Sequence, residues 1–132
     1  MSIVRNAELP VHTLPGIEHR TVAGHAQGAR TLEVWVQTMA PGATTPVHRH
    51  ACEEVILVLS GSGRLLIEGE EPREFEADST LILSPDRVHQ LVNTGSVPLT
   101  LVAALGTAPV RVRTASGEPL PVPWEAPEVS AP

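Results

Sequence analysis

The stretch that decides the reading is Gly42-Ala43-Thr44-Thr45-Pro46-Val47-His48-Arg49-His50-Ala51-Cys52-Glu53-Glu54-Val55-Ile56-Leu57-Val58-Leu59-Ser60-Gly61. On an extended chain, residues two apart face the same side. His48 and His50 therefore point one way, and Glu54 keeps their parity. Two imidazoles and a carboxylate on one face are donors suited to a divalent metal, and such sets leave coordination positions open. From Glu54 to Ser60 the chain is apolar on both faces, as a strand buried in a sandwich would be. Gly61-Ser62-Gly63 then reads as a hairpin turn.

Short apolar runs punctuated by turns continue on both sides. Downstream, strands are expected at Arg64 to Glu68, Arg73 to Glu76, Thr80 to Leu83, Val88 to Asn93, Leu99 to Leu105 and Val110 to Arg113. Upstream, Thr31 to Thr38 alternates, which puts Leu32, Val34 and Val36 on one face. No stretch carries a long 3.6-residue periodicity with caps. Many short strands at regular turns predict an all-β barrel or jelly roll. One of these strands supplies His89, in Ser84-Pro85-Asp86-Arg87-Val88-His89, and it can aim that ring into the same interior.

His48, His50 and His89 are three of six histidines, and with Glu54 they form the candidate metal set. Solvated loop histidines would have no reason to fall at these spacings. His12, His19 and His25 lie outside the pattern and are read as surface or packing residues.

The chain has 132 residues, which suits one domain, 1–132, with a real core. The barrel is expected at about 21–113, between Pro-rich arms at 1–20 and 114–132. The aromatic residues are Trp35, Phe75 and Trp124 alone, so the core is aliphatic. Trp35 alternates with Val34 and Val36 and is read as packing against the opposite sheet or a partner subunit, not touching a ligand. Cys52 is read as a buried, inert thiol, Arg49 as structural, and Glu53 as a surface or interface carboxylate. Tyr and Lys are absent, which removes them as catalytic acids, bases or Schiff-base amines.

A formal net charge of -6 without a cluster of cations argues against nucleic-acid binding. Met1 to Pro15 holds no apolar run, so neither a signal peptide nor a membrane span is expected. Cys52 is the sole cysteine, which excludes an intrachain disulfide and fits a reduced, cytoplasmic setting.

The spacing of Gly42, His48, His50, Glu54 and Gly61 resembles the first motif of the cupin superfamily. His89 and Asn93 match its second, with Asp78, Ser84 and Asp86 where the superfamily usually has Gly, Pro and Gly. The resemblance implies a double-stranded β-helix jelly roll with a metal inside the barrel. The run Thr45-Pro46-Val47-His48-Arg49-His50-Ala51-Cys52-Glu53-Glu54-Val55 is more specific and resembles the signature box of the plant auxin-binding protein family. Thr21-Val22-Ala23-Gly24, Leu32 to Thr38, Pro41-Gly42 and His89 to Asn93 extend the similarity over about Leu14 to Val112, with a further anchor at Trp124-Glu125.

In that family a metal, usually described as zinc, binds the carboxylate of an auxin such as indole-3-acetic acid. The resemblance then implies that Gln37 and Thr45 lie near the carboxylate, and that Leu14, Ile17, Pro46 and Trp124 line the ring pocket, with Val122 where the family has an aromatic. The plant proteins are secretory, glycosylated and disulfide-linked. This sequence has no Asn-x-Ser/Thr site and one cysteine, and it reads as a compact relative, expected to be bacterial.

Three neutral imidazoles and one carboxylate around a divalent ion leave about +1 on the site. One monoanionic carboxylate neutralises that charge in a low-dielectric interior, which favours a monocarboxylate ligand. Zinc is the first expectation for the metal, with manganese, iron or nickel as alternatives. The preferred reading is a metal-dependent small-molecule-binding protein. The alternative is a metal-dependent enzyme, a dioxygenase or isomerase using the same three His and one Glu. A homodimer is expected, because a small jelly roll with edge strands usually covers one of them.

Overall fold

A computed structural model describes residues 1–127. Nine strands form two antiparallel sheets. They are β1 (His12–Leu14), β2 (Ile17–Ala23), β3 (Glu33–Met39), β4 (Glu54–Ser60), β5 (Ser62–Ile67), β6 (Arg73–Glu76), β7 (Ser79–Leu83), β8 (His89–Val92) and β9 (Leu99–Leu105). One sheet has the order β1-β2-β3-β9-β4-β7 and the other β6-β5-β8. The second is widened by Gly42 to His48, which hydrogen-bonds along β8 without being a regular strand. Two short 3₁₀ turns, Asn6–Glu8 and His25–Gln27, are the only helical pieces among the described residues. None of them is long and apolar enough to cross a membrane.

Aliphatic side chains from both sheets meet in a single core. Met39, Ile56, Leu83, Leu99, Leu101 and Leu105 are fully buried, and Leu65 and Leu91 join them from the smaller sheet. Each such side chain stabilises the fold by about 1.5–3 kcal/mol on burial. Asn93 supplies the polar fastening. Its Nδ2 donates to the carbonyls of Met39 and Val97 at 2.9 Å, and its Oδ1 accepts from the Gly95 amide.

Three expectations are corrected, the first being the hairpin at Gly61-Ser62-Gly63: β4 pairs with β7 and β9 and β5 with β6 and β8, so this turn passes from one sheet to the other. The arm at 1–20 is not loop-like throughout, since it holds β1 and the first part of β2. His12, Thr13 and Leu14 pair with His19, Glu18 and Ile17 across a two-residue turn, a hairpin too short to show a strand pattern of its own. Val110 to Arg113 is not a strand. Glu33 and Glu125 take two of its amides, and Arg113 alone makes bridges, to Arg49 and Pro119. On β3 the buried face is Glu33, Trp35, Gln37 and Met39, whereas Val34 and Val36 are half-buried and Leu32 is exposed. Trp35 and Gln37 turn inward onto a cavity that they line, while Glu33 accepts from the Trp35 indole and the Val110 amide. The expected C-terminal arm at 114–132 is described only as far as Pro127, and residues 128–132 lie outside the description.

The two superfamily glycine positions carried here by Asp78 and Asp86 have φ of 64° and 60°. The backbone thus adopts the left-handed turn that the motif calls for, at residues that tolerate it better than most.

Candidate metal centre and cavity

His48 and His89 face each other because Thr44 to His48 runs antiparallel to β8. Their amides and carbonyls exchange hydrogen bonds at 2.9 and 3.1 Å. His50 follows at the same parity, and Glu54 opens β4 from the other sheet. The structure thereby brings together side chains from both motifs. One nitrogen from each of His48, His50 and His89 lies within 4.8 Å of the others, a grouping that can hold a metal ion. His50 and His89 are buried and His48 is partly so.

The orientation of each ring is fixed from behind. Nδ1 of His48 donates to the Pro46 carbonyl at 2.6 Å, that of His89 to the Arg87 carbonyl at 2.8 Å, and that of His50 to the Cys52 carbonyl at 3.2 Å. With Nδ1 so occupied, Nε2 is the remaining ring nitrogen in all three, the arrangement that orients imidazole ligands in metal sites. Glu54 Oε1 stands 3.0 Å from Nε2 of His50 and 3.3 Å from Nε2 of His89.

Electrostatics separates the members. Burial, reinforced by the neighbouring His89, lowers His48 to about 4, so it is neutral at pH 7. Burial also acts to lower His50, but the hydrogen bonds to Cys52 and Glu54 outweigh it and raise the ring to about 10. Burial works to raise Glu54, and the hydrogen bonds from His50 and His89 overcome it, holding the carboxyl down at about 2. The carboxylate is therefore charged and paired with a proton on His50 Nε2. A carboxylate with three imidazole nitrogens is a donor set that fits a divalent ion. Cys52 is buried, with Sγ 3.6 Å from His50 Nδ1 on the side away from Nε2.

Above this group lies an apolar cavity. Its wall includes Leu14, Ile17, Gln37, Thr45, Pro46 and Trp124, with Val122 beside Trp124, and His48, Glu54 and His89 contribute their polar edges. Thr45 Oγ1 accepts from the Leu91 amide at 2.9 Å, which leaves its hydroxyl proton free to donate. The enclosed volume is ≈ 30 Å³. That is room for about one or two waters. Trp124 is half-buried and sits on a segment without strand pairing.

Two wall features escaped the sequence reading. Trp35 packs in the core, and it also lines the cavity. It is buried against the cavity, with Nε1 donating to Glu33 Oε1 at 2.8 Å. Glu33 two positions earlier was the available clue to a buried partner for the indole. His19 is fully buried behind the wall, stacked on Trp124 with ring centroids 3.8 Å apart. Its neighbours in sequence gave no sign of this.

A two-sheet antiparallel barrel with converging histidines at one end defines the protein as a cupin. Solved structures agree at the level of the fold. The polyketide cyclase RemF from Streptomyces resistomycificus superposes with a TM-score of 0.71 at 20% identity, covering 84% of each chain. A Cupin 2 conserved barrel domain protein from Salinispora arenicola gives 0.64 at 21% identity, covering 82% of this chain and 88% of that one. The family profile described as Auxin binding protein matches residues 1–123, and the chain belongs to that family. Auxin-binding protein 1 of Arabidopsis thaliana is 40% identical over 124 residues, which is 85% of this chain and 63% of the plant protein. The chain thus spans less than two thirds of the length of that relative.

Proposed function

We propose that this protein holds one divalent metal, zinc in the first instance, with His48, His50, Glu54 and His89, and uses it to anchor the carboxylate of a small monoacid such as an aryl acetate. The observation that carries the reading is the pre-orientation of three imidazoles, each tied back through Nδ1, two of which, His48 and His89, line a largely apolar cavity together with Glu54. Metal, three neutral rings and Glu54 sum to about +1, which a monoanion cancels without leaving charge buried. Gln37 and Thr45 lie on the wall where a carboxylate would reach them, and the apolar wall with Trp124 suits an aromatic body. The bound metal would supply Lewis-acid attraction for the carboxylate.

A second reading, a metal-dependent dioxygenase or isomerase, rests on the same four side chains, since four protein donors leave positions open on a six-coordinate redox metal. We further propose that the protein is a homodimer of the cytoplasm. Its free, buried Cys52 is compatible with a reducing setting.

Metal analysis tests the donor set. Wild-type protein stripped and reloaded with zinc is expected to retain about one equivalent after dialysis, and His50→Ala to lose most of it while staying folded by circular dichroism. Full zinc retention by His50→Ala would refute the assignment. Iron in the protein as isolated, with oxygen uptake on adding aromatic acids, would put the enzyme reading first.

A further inference from the structure

Behind the cavity wall, outside the metal group, His12, His19 and Gln37 stand in one row across β1, β2 and β3, since His19 pairs in register with both of the others. His19 is the fully buried member. Its Nδ1 is 2.9 Å from Gln37 Nε2, and its Nε2 is 2.7 Å from Thr21 Oγ1. One face of its ring lies on Trp124, at 3.8 Å and 9° between planes, and its edge meets Trp35 at 5.1 Å and 66°. His19 therefore touches three residues of the cavity wall without lining the cavity.

Donor chemistry fixes its state. An amide nitrogen only donates, so Gln37 Nε2 gives a proton to His19 Nδ1, and Nδ1 must be bare. The ring proton then sits on Nε2 and is donated to Thr21 Oγ1. A protonated imidazole would set N–H against N–H at Gln37. Burial, helped by His12, lowers His19 to about 3, which agrees with a ring that stays neutral.

We propose that His19 is a positioning residue: as the neutral Nε2–H tautomer it consumes one N–H of Gln37 and seats the Trp124 ring, and so sets which end of the Gln37 amide and which indole plane the cavity presents. With one N–H held from behind, Gln37 has one N–H and its carbonyl oxygen left for a ligand. The opposite tautomer would hold the carbonyl and turn the whole NH₂ loose. The effect on ligand rests on the carboxylate-binding reading, whereas the tautomer does not.

Nitrogen-15 correlation spectra of the imidazole rings in zinc-loaded protein test the tautomer directly. The resonances that vanish in His19→Phe belong to His19. They are expected to show a bare Nδ1 and a protonated Nε2. Gln37→Glu places a carboxylate against Nδ1 and is expected to move a proton onto it. A proton on Nδ1 in the wild type, or a spectrum unmoved by Gln37→Glu, would overturn the proposal. His19→Phe keeps a flat ring against Trp124 and removes both the Nδ1 acceptor for Gln37 and the Nε2–H donor to Thr21. It is expected to retain zinc and to bind indole-3-acetate about 5- to 10-fold more weakly. Wild-type affinity in that variant would contradict the positioning role. If zinc-loaded wild type binds no indole-3-acetate at all, the ligand reading falls, and the nitrogen spectrum still decides His19.

Discussion

Trp124 is where the residue scale matters most. It reaches the cavity from a segment held by a few contacts: Glu125 Oε1 accepts the Val112 amide at 3.2 Å, and Arg111 lies 3.7 Å from Glu125 Oε2. Its own Nε1 is buried without a partner. If an aromatic acid enters by displacing and then stacking on this indole, Trp124→Ala should weaken indole-3-acetate about 5-fold or more, since a stacked aromatic pair contributes about 0.5–1.5 kcal/mol beyond its buried area. Zinc content should be untouched. Unchanged affinity, read by calorimetry, would place the segment outside the binding event. The cluster of His48, His50 and His89 was legible in the sequence because strand parity and motif spacing specify it without any knowledge of packing. Trp35 and His19 were not, because their roles depend on which face of β3 turns inward and on a neighbour more than one hundred residues away in the chain.

At the scale of elements, the β4–β5 turn shows how tightly the two sheets are joined. Gly61 has φ of +88°, and a Cβ there would stand 2.7 Å from the Pro98 carbonyl oxygen and 2.8 Å from Leu99 Cα. Both the conformation and the backbone neighbours demand glycine. Gly61→Ala is expected to destabilise the protein by about 2–4 kcal/mol in urea unfolding. A loss below about 0.5 kcal/mol would mean the turn relaxes freely. This glycine could be read from the sequence, as could β4, β6 and β9 at the bounds the structure gives them. The hairpin of β1 and β2 could not, because its first strand is three residues long. Alternation alone left the inner face of β3 unassigned for a physical reason. Hydrophobic alternation finds the core side only where the interior is uniformly apolar, and here it must also hold Gln37 and Glu33.

At the scale of the molecule, the outer face of the larger sheet is unusually apolar. Val34, Ala104, Val55 and Ile82 lie in one cross-strand row, and Val36, Val102 and Leu57 in the next. Ile82 is 69% exposed and Leu57 45%. Polar residues would be expected there on a sheet facing water, and the proposed homodimer would cover this face. Ile82→Glu should then sediment as a monomer at a concentration where the wild type is dimeric, with its zinc content intact. A monomeric wild type, or a dimeric variant, would remove this face from the account.

The central claim is that a metal at the three histidines and Glu54 anchors a carboxylate. Calorimetric titration of the zinc-loaded protein with indole-3-acetic acid, with His50→Ala as the control, tests it most directly. The account predicts saturable heat in the wild type and none in the variant. No heat into the millimolar range with zinc confirmed in place, or equal heat in both proteins, would contradict it.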